Sequence, residues 1–107
     1  MAAEGICEWL ERLADEQALG REPSLPAGAS LALRATDQDL AESTWTVLGR
    51  PEGVHWHRRP ASADLALSGP ATDLLLALLR RRPAEDTGIS MQGDTALWRS
   101  WLALTPL

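Results

Sequence analysis

The sequence predicts an α/β fold of the α+β kind, with its elements in the order α-β-β-β-crossover-β-α-β-α. Two observations carry this reading. Apolar residues recur at three-and-four spacing in three stretches, near the N-terminus, after Pro70 and near the C-terminus. Between them lie five short segments of strand character, separated by glycine and proline.

The first helix is expected over residues 5 to 19. Ile6, Leu10, Leu13 and Gln17, with Trp9 beside them, take one side, and Glu8, Glu11, Arg12 and Asp15 take the other. Gly20 closes it, and the stretch REPSLPAGAS at 21 to 30 is a connecting loop, because two prolines and a glycine suit neither helix nor central strand. Strands follow at 30 to 35 (SLALRA), 43 to 49 (STWTVLG) and 53 to 59 (GVHWHRR). In the second, Trp45 and Val47 alternate with Thr44, Thr46 and Leu48; in the third, Val54 and Trp56 alternate with His55 and His57. GRPEG at 49 to 53 has the chemistry of a tight reversal and pairs these two as an antiparallel hairpin. A fourth strand, DLALS at 64 to 68, puts Leu65 and Leu67 on one face. In the helix after it, Ser68 or Gly69 can cap, Pro70 suits the first helical position, Asp73 favours the positive end of the dipole and Arg80 to Arg82 the negative end. The turn PAEDTG leads to a strand at 89 to 92, which Gly93 ends, and Asp94 caps a last helix over 95 to 103 lined by Leu97, Trp98, Trp101 and Leu102.

Composition bounds the function. A chain of 107 residues suits a single domain, residues 1 to 107, and the longest apolar run, 74 to 79, is far short of the roughly 20 residues a membrane span needs. The acidic N-terminus lacks the basic start of a secretory signal, so the expected location is cytoplasmic. A net charge of −5 disfavours nucleic acid. One cysteine, Cys7, allows neither an internal disulfide nor a multi-cysteine zinc site. All ten basic residues are arginine, and Lys, Asn, Phe and Tyr are absent, the pattern of a G+C-rich, actinobacterial type of genome. Five tryptophans must therefore supply all the aromatic volume.

The second half, ADLALSGPATDLLLALLRRRP followed by a short strand and GDTALWRSW, resembles the C-terminal domain of the mycothiol-dependent maleylpyruvate isomerase family. Leu31 through Asp37 and Ser43 through Val47 look like its earlier strands, while the first 28 residues contribute a compatible helix. The resemblance implies a sterol-carrier-protein-type-two-like fold: a mostly antiparallel five-stranded sheet backed by helices, with a hydrophobic groove between them. In the full-length isomerases this domain follows a metal-binding helical bundle, which this chain is expected to lack, so the resemblance points to a domain without catalysis of its own. Family members usually carry a glycine and an arginine after the apolar helix, the arginine facing the active site in the catalytic isomerases. Arg81 matches that arginine, and Arg80 stands where the glycine is usual.

The candidate ligand-binding residues are Arg81, Arg80, Trp45, Trp56, Trp98 and Trp101. A guanidinium can hold a carboxylate through two parallel hydrogen bonds, although arginines in a last helical turn also serve the dipole alone. Trp98 and Trp101 are one turn apart and expected to stack, and Trp45 and Trp56 can meet across the hairpin; together they either wall a groove for an apolar ligand or fill it, and filling is the favoured reading. His55 and His57 share a strand face, as metal ligands do, but need a third ligand such as Asp37, Asp39 or Glu42, and Arg58 and Arg59 would repel a cation. No metal or other cofactor is indicated. Cys7 sits among Glu4, Glu8 and Glu11, a setting that does not activate a thiol, and reads as inert and partly buried. The expected partners are a small apolar or carboxylate ligand, a second copy of the chain, or a separate metal-binding helical domain. The rival function to a binding module is an accessory subunit of a thiol-dependent isomerase or transferase, with Arg81 anchoring a substrate carboxylate; a lipid or sterol carrier is the third.

Overall fold

A computed structural model of the chain describes residues 2–18, 25–37, 44–51, 53–59, 61–79, 81 and 87–104. Its elements are α1 (Ala2–Ala18), β1 (Ser30–Ala35), β2 (Thr44–Arg50), β3 (Gly53–His57), β4 (Leu65–Gly69), α2 (Ala71–Leu78), β5 (Ser90–Gly93) and α3 (Ala96–Leu104). This is the order expected from the sequence. The helix α1 begins earlier than its apolar stripe, because Ala2 and Ala3 are strong helix formers and Glu4 suits the first turn. Gly20, Arg80, Arg82 and most of the PAEDTG turn lie outside the described residues.

The strands form one sheet in the order β3-β2-β1-β4-β5. Three pairings are antiparallel, and β1 with β4 is parallel. The predicted hairpin is present: Arg50 pairs with Gly53, leaving two residues to turn the chain. Gly53 adopts φ 137°, a backbone region closed to most side chains, so a glycine is needed where the return strand starts.

The residues that alternate inward are Leu31, Leu33 and Ala35 of β1, Trp45 and Val47 of β2, Val54 and Trp56 of β3, Leu65 and Leu67 of β4 and Met91 of β5. Helices cover that face, with α2 lying over β1 and β4 and α1 against α2 and β3. From above, Ile6, Leu10, Leu13, Leu74, Leu78, Leu97, Trp98 and Trp101 complete one core. Full burial of each such large apolar side chain stabilises the fold by about 1.5–3 kcal/mol.

The crossover from β3 to β4 is tied at both ends. At its start the Thr46 hydroxyl, buried on the face away from the helices, donates to the Arg59 carbonyl at 2.9 Å. At its end Ser30 and Asp64 bond reciprocally: the Ser30 N–H donates to the Asp64 carboxylate at 3.0 Å and the Asp64 N–H to the Ser30 hydroxyl at 2.9 Å. Beyond it, Gly93 takes φ 114° and passes so close to the Asp64 carbonyl that a Cβ would collide with it.

The caps of α2 differ from expectation. Ser68 and Gly69 are held in β4, paired with Arg34 and Ala35, and so do not cap. Pro70 is the N-cap and not the first helical residue, and the Ala71 N–H donates to the Asp37 carboxylate at 3.1 Å. Asp73 in the first turn accepts the Gly88 N–H at 3.1 Å. At the other end α2 stops at Leu78, and the Arg81 N–H reaches back to the Leu76 carbonyl at 2.9 Å, a long bond that closes a helix C-terminus. The expected Asp94 cap of α3 is present, its carboxylate accepting the Ala96 N–H at 3.1 Å.

Candidate functional site

The site is best built from the indoles. On β2, strand alternation aims Trp45 at the helices, where it is fully buried. Its indole N–H donates to Cys7 Sγ on α1 at 3.1 Å, and the Arg58 guanidinium lies over its ring, 5.3 Å from the centroid. Both contacts follow from geometry. Cys7 follows Ile6 on the buried side of α1, and Arg58 continues the strand register that pairs Thr46 with His57, which puts it across from Trp45.

On α3, helical spacing places Leu97, Trp98 and Trp101 toward the core, with Trp98 6% exposed and Trp101 fully enclosed. Trp101 meets Trp9 of α1, with ring centroids 5.8 Å apart and planes inclined at 43°, an attractive tilted arrangement. Trp9 itself is half-buried. The Trp101 indole N–H is buried and finds no acceptor among the described residues.

Of the sequence candidates, Trp45, Trp98 and Trp101 thus share one core, and Trp56 packs against it. Their pairing departs from expectation. Across the hairpin Trp56 pairs with Val47, so Trp45 sits diagonally from it and faces Arg58 instead. Among the described residues the close ring pair is Trp9 with Trp101, and not Trp98 with Trp101, because the docking of α3 on α1 decides which indoles touch. Arg81 follows α2 with its side chain exposed and outside the aromatic core, while Arg80 lies outside the described residues. Trp9 was not among the sequence candidates, and its place next to Leu10 on the α1 stripe was the signal available; Cys7, expected to be partly buried, is so, and it accepts the Trp45 N–H.

Elsewhere, His55 and His57 lie opposite Leu48 and Thr46, the first exposed and the second half-buried. Among the described residues no three His, Cys, Asp or Glu side chains gather as metal ligands. Asp37, considered as a third ligand, caps α2 instead. No described helix is long and apolar enough to cross a membrane.

The sequence model of the MDMPI C-terminal domain matches residues 1–100, which includes α1 as well as the sheet. The chain belongs to that family. No curated protein sequence matches this MDMPI C-terminal domain at significant similarity. Among solved structures it is similar to sterol carrier protein 2-like 2 (SCP2-L2) from Aedes aegypti, with a TM-score of 0.56 and 16% identity over 95% of this chain and 97% of that one. It is also similar to the UbiJ-SCP2 ubiquinone synthesis protein, with a TM-score of 0.58 and 17% identity over 95% of this chain and 90% of that one. At these identities the likeness is one of fold, and it agrees with the sterol-carrier-like α+β architecture expected from the sequence.

Proposed function

We propose that this MDMPI C-terminal domain is a binding module, one domain over residues 1–107, that holds a small apolar ligand between its sheet and the helices α1 and α3 without catalysing a reaction itself. The observation that carries this reading is the collection of Trp45, Trp98 and Trp101 in one core, with Trp56 and Trp9 half-buried at its margin. Ligand pockets are lined mainly by aromatic and apolar side chains, and these indoles are side chains of that kind. The names of the two similar folds, a sterol carrier and a ubiquinone synthesis protein, support an apolar ligand.

The test compares the native and denatured masses of the protein purified without added ligand, beside titration with a fluorescent fatty acid. A retained small molecule, or saturable binding with quenching of the tryptophans, is expected. Equal masses and no saturable signal overturn the reading.

A second reading rests on Arg81, whose exposed guanidinium makes no hydrogen bond or ion pair among the described residues. It makes the domain an accessory part of a metal- and thiol-dependent isomerase or transferase working in the cytoplasm, with Arg81 anchoring a substrate carboxylate when a separate metal-binding helical domain is bound. A reconstituted pair in which Arg81→Ala leaves KM for an acidic substrate unchanged removes that role.

A further inference from the structure

From the Trp101 indole we infer the chemistry of the ligand: a neutral, apolar molecule carrying one hydrogen-bond acceptor, such as a ketone or ester carbonyl, that the Trp101 N–H receives. The inference rests on the ligand-binding reading above and specifies it. Trp101 is fully enclosed, yet its N–H has no acceptor among the described residues. Buried donors are almost always paired, so an unpaired one calls for a physical reason. The contrast lies in the same core, where the equally buried Trp45 gives its N–H to Cys7. An incoming acceptor supplies what Trp101 lacks.

The surroundings select the acceptor. Among the described residues, the members of this core on α1 and α3 are Ile6, Leu10, Leu13, Leu97, Trp98 and Trp101 itself, and none of them carries a charge. Burying a carboxylate against one neutral N–H is far costlier than burying a carbonyl, so an ionised head group is excluded from this position. Trp9, half-buried on the ring of Trp101, is the member of the pair that reaches solvent, which puts the entry at the seam of α1 and α3.

The test uses 2-dodecanone and dodecane, which differ by the carbonyl. In the full chain carrying indole-labelled tryptophan, the Trp101 N–H proton resonance is expected to move downfield with the ketone and to lack that shift with the alkane. Trp101→Phe keeps an aromatic ring and removes the donor; it should weaken 2-dodecanone about five- to tenfold more than it weakens dodecane, as the loss of one hydrogen bond implies. If both ligands bind but the resonance does not distinguish them, or if Trp101→Phe affects both alike, the inference falls and the binding module stands. If neither ligand binds the wild-type chain, both fall together. The resonance experiment uses the wild-type protein, so it decides the matter even if the variant does not fold.

Discussion

Trp45 and Trp101 are both fully buried in the same core, but only one of them is satisfied. Trp45 is fixed by a strand, bonded to Cys7 and covered by Arg58, so ring, N–H and π face each have a protein partner. Trp101 is carried by a helix and has a ring partner in Trp9, and its N–H has no protein acceptor among the described residues. Burial alone therefore does not distinguish these two indoles, and the state of the N–H does.

The widest test of the contrast truncates the structural indole. Trp45→Ala should cost about 3–5 kcal/mol in denaturant unfolding, since it empties a large volume and orphans the contacts of Cys7 and Arg58. Next, Cys7→Ala leaves the Trp45 N–H buried without its acceptor and should cost about 1–2 kcal/mol; a change within error would mean that the sulfur bond contributes nothing and that the two indoles are energetically alike. Replacing each indole by Phe sharpens the comparison, because both changes lose similar volume and only one breaks a hydrogen bond. Trp45→Phe should be less stable than Trp101→Phe by about 1 kcal/mol, and equal midpoints would sink the distinction. The smallest effect belongs to Arg58→Ala, which removes a cation from the Trp45 face at an exposed position and should cost about 0.5–1 kcal/mol, read from the same unfolding curves.

Alternation made the sheet legible. Each strand falls within a residue or two of its expected bounds, because Leu31 and Leu33, Trp45 and Val47, and Leu65 and Leu67 each mark an inward face that a one-residue slip would turn outward. Local chemistry likewise gave the hairpin and the Asp94 cap. What stayed hidden depends on partners distant in sequence. Asp37 caps a helix that starts 34 residues later, and that donor–acceptor pair has no local pattern. The expected caps Ser68 and Gly69 were claimed by the pairing of β4 with β1, which outranks a local preference once the strand is central. The aromatic candidates were found by residue type and spacing, but their partners were not. Spacing along α3 makes Trp98 and Trp101 neighbours on one helix, whereas the ring that meets Trp101 comes from α1, near the other end of the chain.

The parallel pairing of β1 with β4 also has a kinetic consequence. It lies at the centre of the sheet, and the Ser30–Asp64 bonds beside it join residues 34 positions apart. The hairpin of β2 and β3 is local and can close within microseconds, whereas the central seam must first lose the loop entropy of the intervening chain. Folding is thus expected to run outward from the hairpin, with β1 adding to β2 before β4 arrives. Until then Leu31 and Leu33 present an open strand edge, and in that interval the chain is most exposed to aggregation.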